Sequence, residues 1–235
     1  MRVIDAVWEY ENLGCKVQEI IIEASDTAGS LAENLSTIDA DYQVVKLPAE
    51  QVELSEVLHK RGFYLSEALM TLEIATDESE NFRSAEYHIM TEEEEDNLDK
   101  VIKAGLFGTD RISRDPHFSK GQSAQRYVNW IDDEKNRGGE LLALESDGET
   151  VGFALLRQTG KDSCHSYLVG IYPEFAGKRL SYLIISSGIL YARGKGCQTL
   201  TTSVSTNNPG SVRAHLKMGY LPIKIEYVFV KHLGS

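Results

Sequence analysis

Between Ile171 and Ser181 the chain reads Ile-Tyr-Pro-Glu-Phe-Ala-Gly-Lys-Arg-Leu-Ser, the residue types of a strand that ends and a helix that begins. The proline stops a ladder, and Gly177 lets the backbone come close to a ligand. A helix start aims unpaired N–H groups and the positive end of a dipole at one point, which suits a pyrophosphate. Lys178 and Arg179 add charge of the right sign. A second such step follows at Asn208-Pro-Gly-Ser211, in a segment that runs on through His215 to Gly219 and Tyr220. Two neighbouring steps place both helix starts at one sheet edge, where α/β folds bind ligands.

The elements that must hold these steps can be read from periodicity. Strands are expected at 17–22, 42–47 and 63–74, with helices at 26–38 and 49–60 between them. The segment 76–86 is polar and aperiodic and reads as a linker. Beyond it a strand is expected at 86–90, then a helix opened by the Thr91/Glu94 capping box. The acids at 92–96 read as a solvated helix start, and no metal site is expected. A helix at 119–137 precedes strands at 140–145, 150–158 and 166–172, the first two joined by an Asp147-Gly148 turn. A helix at 180–193, a strand at 199–203, a short helix at 210–218 and a strand at 223–230 complete the pattern. Leu58-His-Lys-Arg-Gly62-Phe63 before one long strand echoes His215-Leu-Lys-Met-Gly219-Tyr220 before another. The expected organisation is a β/α part over 1–78 and a second domain over 84–235.

Charge divides along the same line. The chain carries 36 acids and 24 bases, a net of −12, yet residues 1–83 hold −11 of it. From Lys100 onward 18 bases face 12 acids, so an anionic small molecule suits the second part. No basic cluster interleaved with aromatics supports nucleic-acid binding. No run of 18 apolar residues spans a membrane, and the first residues lack the pattern of a secretory signal. Cys15, Cys164 and Cys197 lie far apart with no Cys-x-x-Cys pair, which speaks against a zinc cluster and a disulfide framework. A cytoplasmic setting is expected, and nothing here opposes a homodimer.

The two steps together resemble the GNAT superfamily of N-acetyltransferases over residues 84–235. Pro173, Glu174, Phe175, Gly177 and Leu180 fit its coenzyme loop; Ala176 replaces an Arg or Gln, Arg179 a glycine, and Ser181 a Gly or Ala. Asn208, Ser211, Gly219 and Tyr220 fit the second motif, with His215 at its tyrosine position. The resemblance implies a mixed, mostly antiparallel α/β sheet flanked by helices, preceded by a smaller partial version of that fold. A narrower likeness, carried by Trp8-Glu-Tyr-Glu-Asn-Leu-Gly14 and by Thr109–Phe118, is to nucleotide-sugar N-acetyltransferases of the dTDP-fucosamine acetyltransferase type. Ile112 stands there for an aromatic.

What this likeness implies is direct transfer of acetyl from acetyl-CoA to a primary amine of a small molecule, with an amino-sugar nucleotide as leading acceptor. Edge amides of Leu168, Val169, Gly170 and Ile171 would hold the pantetheine arm, and those of Ala176, Gly177, Lys178, Arg179, Leu180 and Ser181 the pyrophosphate. Asn208 either contacts the coenzyme or caps its helix, and Ser211 accompanies it in the motif. His215 is the implied acid for the departing thiolate, or else a packing residue; Tyr220 is its substitute. Asp110, Arg111 and His117 sit where acceptors enter in this family, though loops are polar by default. His165 and Tyr167 are weighed as groups that order a water for proton removal. Two other readings stay open: acetylation of a protein or peptide amine, and a GNAT-fold binding protein without turnover.

Overall fold

The computed structural model describes residues 1–79 and 86–233. Its first part runs β1 (Arg2–Asp5), α1 (Val7–Leu13), β2 (Val17–Ile21), α2 (Ala28–Leu35), β3 (Tyr42–Pro48), α3 (Ser55–Lys60) and β4 (Tyr64–Ala75). The second begins β5 (Glu86–Ile89), α4 (Glu92–Lys103), α5 (Lys120–Asn136), β6 (Glu140–Ser146) and β7 (Glu149–Gln158). It ends β8 (Ser163–Ile171), α6 (Ser181–Gly194), β9 (Thr199–Ser205), α7 (Pro209–Lys217) and β10 (Leu221–His232).

All ten strands form one mixed sheet in the order β1-β2-β3-β10-β4-β9-β8-β7-β6-β5. Its described pairs are antiparallel except β2 with β3 and β8 with β9, the mixed α/β architecture expected. The ends of the two parts change places. Strand β4 lies between β9 and β10, and β10 lies between β4 and β3. Burial follows the exchange: Leu72 and Ile74 of β4 join the core of the second part, while Phe229 of β10 packs with Ile20, Leu31, Leu47 and Leu58. Val228 and Val230 pack with Tyr42, Val44 and the loop residue Ile112. The sequence boundary near residue 80 therefore divides the chain without dividing the sheet. Most of the expected linker, residues 80–85, lies outside the described residues.

The echo between the two helix-to-strand passages has a geometric counterpart. In α3, Phe63 N–H donates to the Leu58 carbonyl (3.0 Å), with Gly62 at φ +83°. In α7, Tyr220 N–H donates to the His215 carbonyl (3.2 Å), with Gly219 at φ +94°. A left-handed residue closes each helix, and glycine adopts that region without steric cost.

Local differences from the expectation are small. The helix expected at 49–60 begins as a 3-10 turn (Ala49–Leu54) with Gln51 outside helical geometry, and becomes α-helical at Ser55. Strand β1 and helix α1 have too few residues to show a period. The Thr91/Glu94 capping box forms in full. Cys164 and Cys197, remote in sequence, are buried with their sulfurs 2.8 Å apart as free thiols. No helix among the described residues is long and apolar enough to cross a membrane.

Candidate active site

Strands β8 and β9 run parallel from Ser163 opposite Thr199 to Ser166 opposite Thr202, and their pairing stops there. Beyond that point β8 stays with β7 as far as Ile171, and β9 stays with β4 as far as Ser205. The two strands thus part, and the edge of β8 from Tyr167 onward faces the opening. Register between β7 and β8 shifts between Leu155 and Leu156, so Tyr167 is an extra residue at the start of the opening. An unpaired strand edge can take an extended ligand as a further strand. Leu168, Val169, Gly170 and Ile171 lie along it. Gly170 has a packing reason as well, since a Cβ there would meet the Phe153 ring at 2.5 Å.

After β8, the chain turns through Pro173–Phe175 and enters α6 at Ser181. Leu180 gives this helix no side-chain cap, which leaves its first N–H groups available. Gly177 has φ +79°, and a Cβ there would meet nothing within 4 Å, so the backbone is open to a ligand. Arg179 has φ +64°. The residue that departs from the family's glycine keeps the glycine-like backbone, at a cost of roughly 1–2 kcal/mol. Lys178 Nζ sits 4.5 Å from the Phe175 ring centre.

A cavity of about 520 Å³ fills the opening between the strands. Tyr167, Leu168 and Val169 wall one side, and Thr202–Ser205 with Asn208, Ser211 and His215 wall another. The first part of the chain closes it with Trp8, Glu9, Asn12, Glu19, Lys46, Glu67 and Leu69. From the remaining direction come Thr109, Asp110, Arg111, Arg126, Tyr127 and Trp130. Both tryptophans of the chain line this one space.

Glu67, on the inserted strand β4, was not singled out in the sequence. It is buried, and its Oε2 has no hydrogen-bond partner. Burial raises its pKa above the usual carboxylate value, against a Ser205 hydrogen bond and the Arg111 guanidinium, which lower it. The readable signal was an acid in the middle of an apolar strand pattern. Glu9, also missed, is fully buried and clamped by two guanidiniums. Arg111 reaches its Oε1 at 2.8 Å, and Arg126 reaches Oε1 and Oε2 at 2.8 Å. Burial opposes its ionisation, but the two arginines prevail and lower its pKa to about 2.

Asp110 and Arg111 line the cavity, and each has a structural task. Asp110 Oδ1 accepts from the N–H groups of Ile112 (2.9 Å) and Ser113 (3.2 Å). Arg111 anchors Glu9. His117 is not among the residues that line the cavity; it stacks on His232 at 3.8 Å and bonds to Asp115. Its place two residues after Asp115 lets the loop turn its ring away.

His215 lines the cavity and is almost wholly buried. Its Nδ1–H donates to the Ser211 carbonyl at 2.9 Å, which leaves Nε2 as an acceptor. Burial pushes its pKa down, against the Ser211 bond. A neutral ring with its proton on Nδ1 presents Nε2 as an acceptor. Tyr220 lies behind His215. Its ring is buried edge-on to His215 at 5.0 Å and does not line the cavity. Asn208 Oδ1 accepts from Ser211 N–H at 3.1 Å, so it caps α7 while lining the cavity. Tyr167 meets Arg157, which also holds Glu134 at 2.9 Å. His165 bonds Thr201 at 2.8 Å, and burial first, with Arg157 second, lowers its pKa to about 4.

With this geometry in place, comparison with known proteins identifies the second part. Residues 108–220 match the acetyltransferase (GNAT) family model. Over 236 residues the chain is 22% identical to the spore coat polysaccharide biosynthesis protein SpsD of Bacillus subtilis, covering 96% of this chain and 81% of that one. It is 29% identical to the aminoglycoside N(6')-acetyltransferase type 1 of Klebsiella aerogenes, over 40% of this chain and 66% of that one. The fold matches a GCN5-related N-acetyltransferase from Sphaerobacter thermophilus with a TM-score of 0.63 at 13% identity, covering 99% and 76% of the two chains. Residues 108–220 thus carry a GNAT acetyltransferase domain, and the acetyltransferases among the relatives support an acetyl-CoA-dependent N-acetyltransferase.

Proposed function

We propose that this GNAT acetyltransferase acts on the primary amine of a small molecule, with an amino-sugar nucleotide as the leading acceptor. The observation that carries the reading is Glu67, a buried carboxylate with a free oxygen on the wall of the cavity between the parted strands. Acetyl-CoA supplies the acetyl group as an activated thioester. The β8 edge from Leu168 to Ile171 and the loop from Ala176 to Ser181 hold it through backbone amides, with Lys178 and Arg179 beside the phosphates. Asn208 and Ser211 stand at the cavity end of this path.

An amine attacks only after losing its proton, and Glu67 takes it. A carboxylate with a raised pKa is the stronger base, so burial serves the reaction here. The Nε2 of His215 accepts a hydrogen bond from the incoming amine and orients its lone pair. The departing thiolate, with a pKa of about 8.5 for its thiol, needs no strong acid. As the tetrahedral adduct collapses, the second amine proton passes to the departing sulfur, and Glu67 returns the first to solvent.

Cavity size favours a small acceptor, since about 520 Å³ falls within the range of roughly 300–1,000 Å³ for small-molecule sites. Trp8 and Trp130 offer flat faces to a sugar or base ring. Of the six lining carboxylates, Glu9 is paired with two arginines, Glu19 with Lys46 at 3.2 Å and Glu134 with Arg157 at 2.9 Å. The lining therefore lacks the open acidic surface that a basic peptide requires. SpsD is named for spore coat polysaccharide biosynthesis and the Klebsiella relative for an aminoglycoside, which supports a sugar-borne amine.

The test is thiol release from acetyl-CoA across amino-sugar nucleotides, free amino sugars, polyamines and lysine peptides. Turnover confined to the first two classes is expected. Turnover on peptides alone moves the reading to a protein acceptor, and silence on all favours a binding protein.

A further inference from the structure

We propose that Asp115, His117 and His232 bind one borderline divalent cation, of the Zn²⁺ class, outside the acetyl-transfer cavity. One ligand atom from each residue lies within 4.8 Å of the others. The carboxylate sits between the imidazoles, with Oδ1 2.9 Å from His117 Nδ1 and Oδ2 2.8 Å from His232 Nε2. The rings stack at 3.8 Å with 18° between their planes, so both nitrogens face the same carboxylate.

Bond lengths of about 2.0–2.2 Å to nitrogen and oxygen in a tetrahedral site separate ligand atoms by about 3.4 Å. The present contacts of 2.8–2.9 Å are to the two different oxygens of Asp115, and an ion lies in the plane of each ring that binds it, so the half-exposed His117 ring must turn out of its stack to close the site. Two imidazoles with one carboxylate suit Zn²⁺ and its neighbours better than Ca²⁺ or Mg²⁺, which take oxygen ligands. Each ring binds as a neutral ligand, with its proton moved to the other ring nitrogen through solvent. The Tyr64 hydroxyl, 3.3 Å from Asp115 Oδ2, orients the carboxylate from outside. Asp115 and His232 are largely buried, while the His117 side chain is 39% exposed and gives an ion its way in.

The three ligands tie the loop after α4 to the end of β10. That loop also carries Asp110 and Arg111, which line the acceptor cavity. An ion here braces the acceptor loop from behind without touching substrate.

The experiment titrates chelator-treated full-length protein with ZnCl₂ at pH 7.5 by calorimetry and thermal melting. One equivalent bound and a Tm increase of roughly 5 °C or more near a hundredfold excess over Kd are expected. Because His117 is partly exposed, His117→Ala should keep the metal-free Tm and lose both responses. Co²⁺ gives a second readout, a visible ligand-field band present in the wild type and absent from the variant. A Zn²⁺ response that survives His117→Ala overturns the proposal, as does no response in the wild type. Should His117→Ala melt early without metal, His117→Gln provides the same comparison, with the same two outcomes.

Discussion

The two parts of the chain build the same supersecondary unit and use it in opposite ways. In the first, β2 and β3 stay paired from Val17 opposite Tyr42 to Ile21 opposite Lys46. In the second, β8 and β9 part after Ser166 and Thr202, and a cavity occupies the gap. The closed unit buries its strands in an apolar core with Leu31, Leu35 and Leu58. The open unit exposes backbone for a coenzyme. The first part of the chain contributes side chains: Glu9 from α1, Glu19 from β2, Lys46 from β3 and Glu67 from β4 all line that cavity. A parallel strand pair thus stays closed on one side of the sheet and opens on the other.

The sharpest way to break this comparison is to separate the parts. Residues 84–235 alone lose β4, which pairs with β9 and β10 and places Leu72 and Ile74 in the core. No cooperative melt by circular dichroism is expected, and a normal two-state transition would show that the parts are independent. Next in size is Glu67→Gln. It removes the base and should lower kcat by about 10²–10⁴, with little change in KM for acetyl-CoA. The rise of rate with pH through the raised Glu67 pKa should vanish with it. Because that pKa is higher folded than unfolded, ionised Glu67 costs stability as pH rises through the folded value. The same variant should therefore gain Tm more at pH 8 than at pH 5, and an equal shift at both would remove the pKa argument.

Glu9→Gln tests the seam between the parts. Two guanidiniums lose a shared buried carboxylate, and urea unfolding should show a loss of about 3–5 kcal/mol. In the wild type the Glu9 contribution is fully present above the unfolded value near 4.5 and fades as pH falls toward 2. Stability should therefore drop more steeply between those values in the wild type than in the variant. The smallest effect belongs to Arg179→Gly, which relieves a left-handed backbone worth roughly 1–2 kcal/mol. A slightly higher Tm with weaker acetyl-CoA binding is expected, since one cation beside the phosphates is lost.

Much of the coenzyme side was legible in the sequence because backbone geometry depends on few residue types. Pro173, Gly177 and the strand-to-helix steps announce themselves, and even Arg179 departs from the motif without changing the turn. The acceptor side was legible only in part. Glu9 and Glu67 act on a cavity formed with residues more than a hundred positions away, and no local period marks such a meeting. His117 meets His232, a partner more than a hundred positions away, and no local pattern marks that pairing either. The proton of His215 is decided by the Ser211 carbonyl one turn earlier and by burial, neither of which a residue type reveals.

The exchange of β4 and β10 also sets an order for how the molecule comes into being. β3 cannot complete its ladder until β10 has been synthesised, after every other described strand. Until then the first part presents an unfinished sheet edge and an incomplete core, the condition that invites pairing with the wrong strand. Contacts between residues nearly two hundred positions apart must close before either part is finished, which slows folding. The chain is therefore expected to become native in one late step and not half by half, with its greatest need of chaperones just before β10 docks.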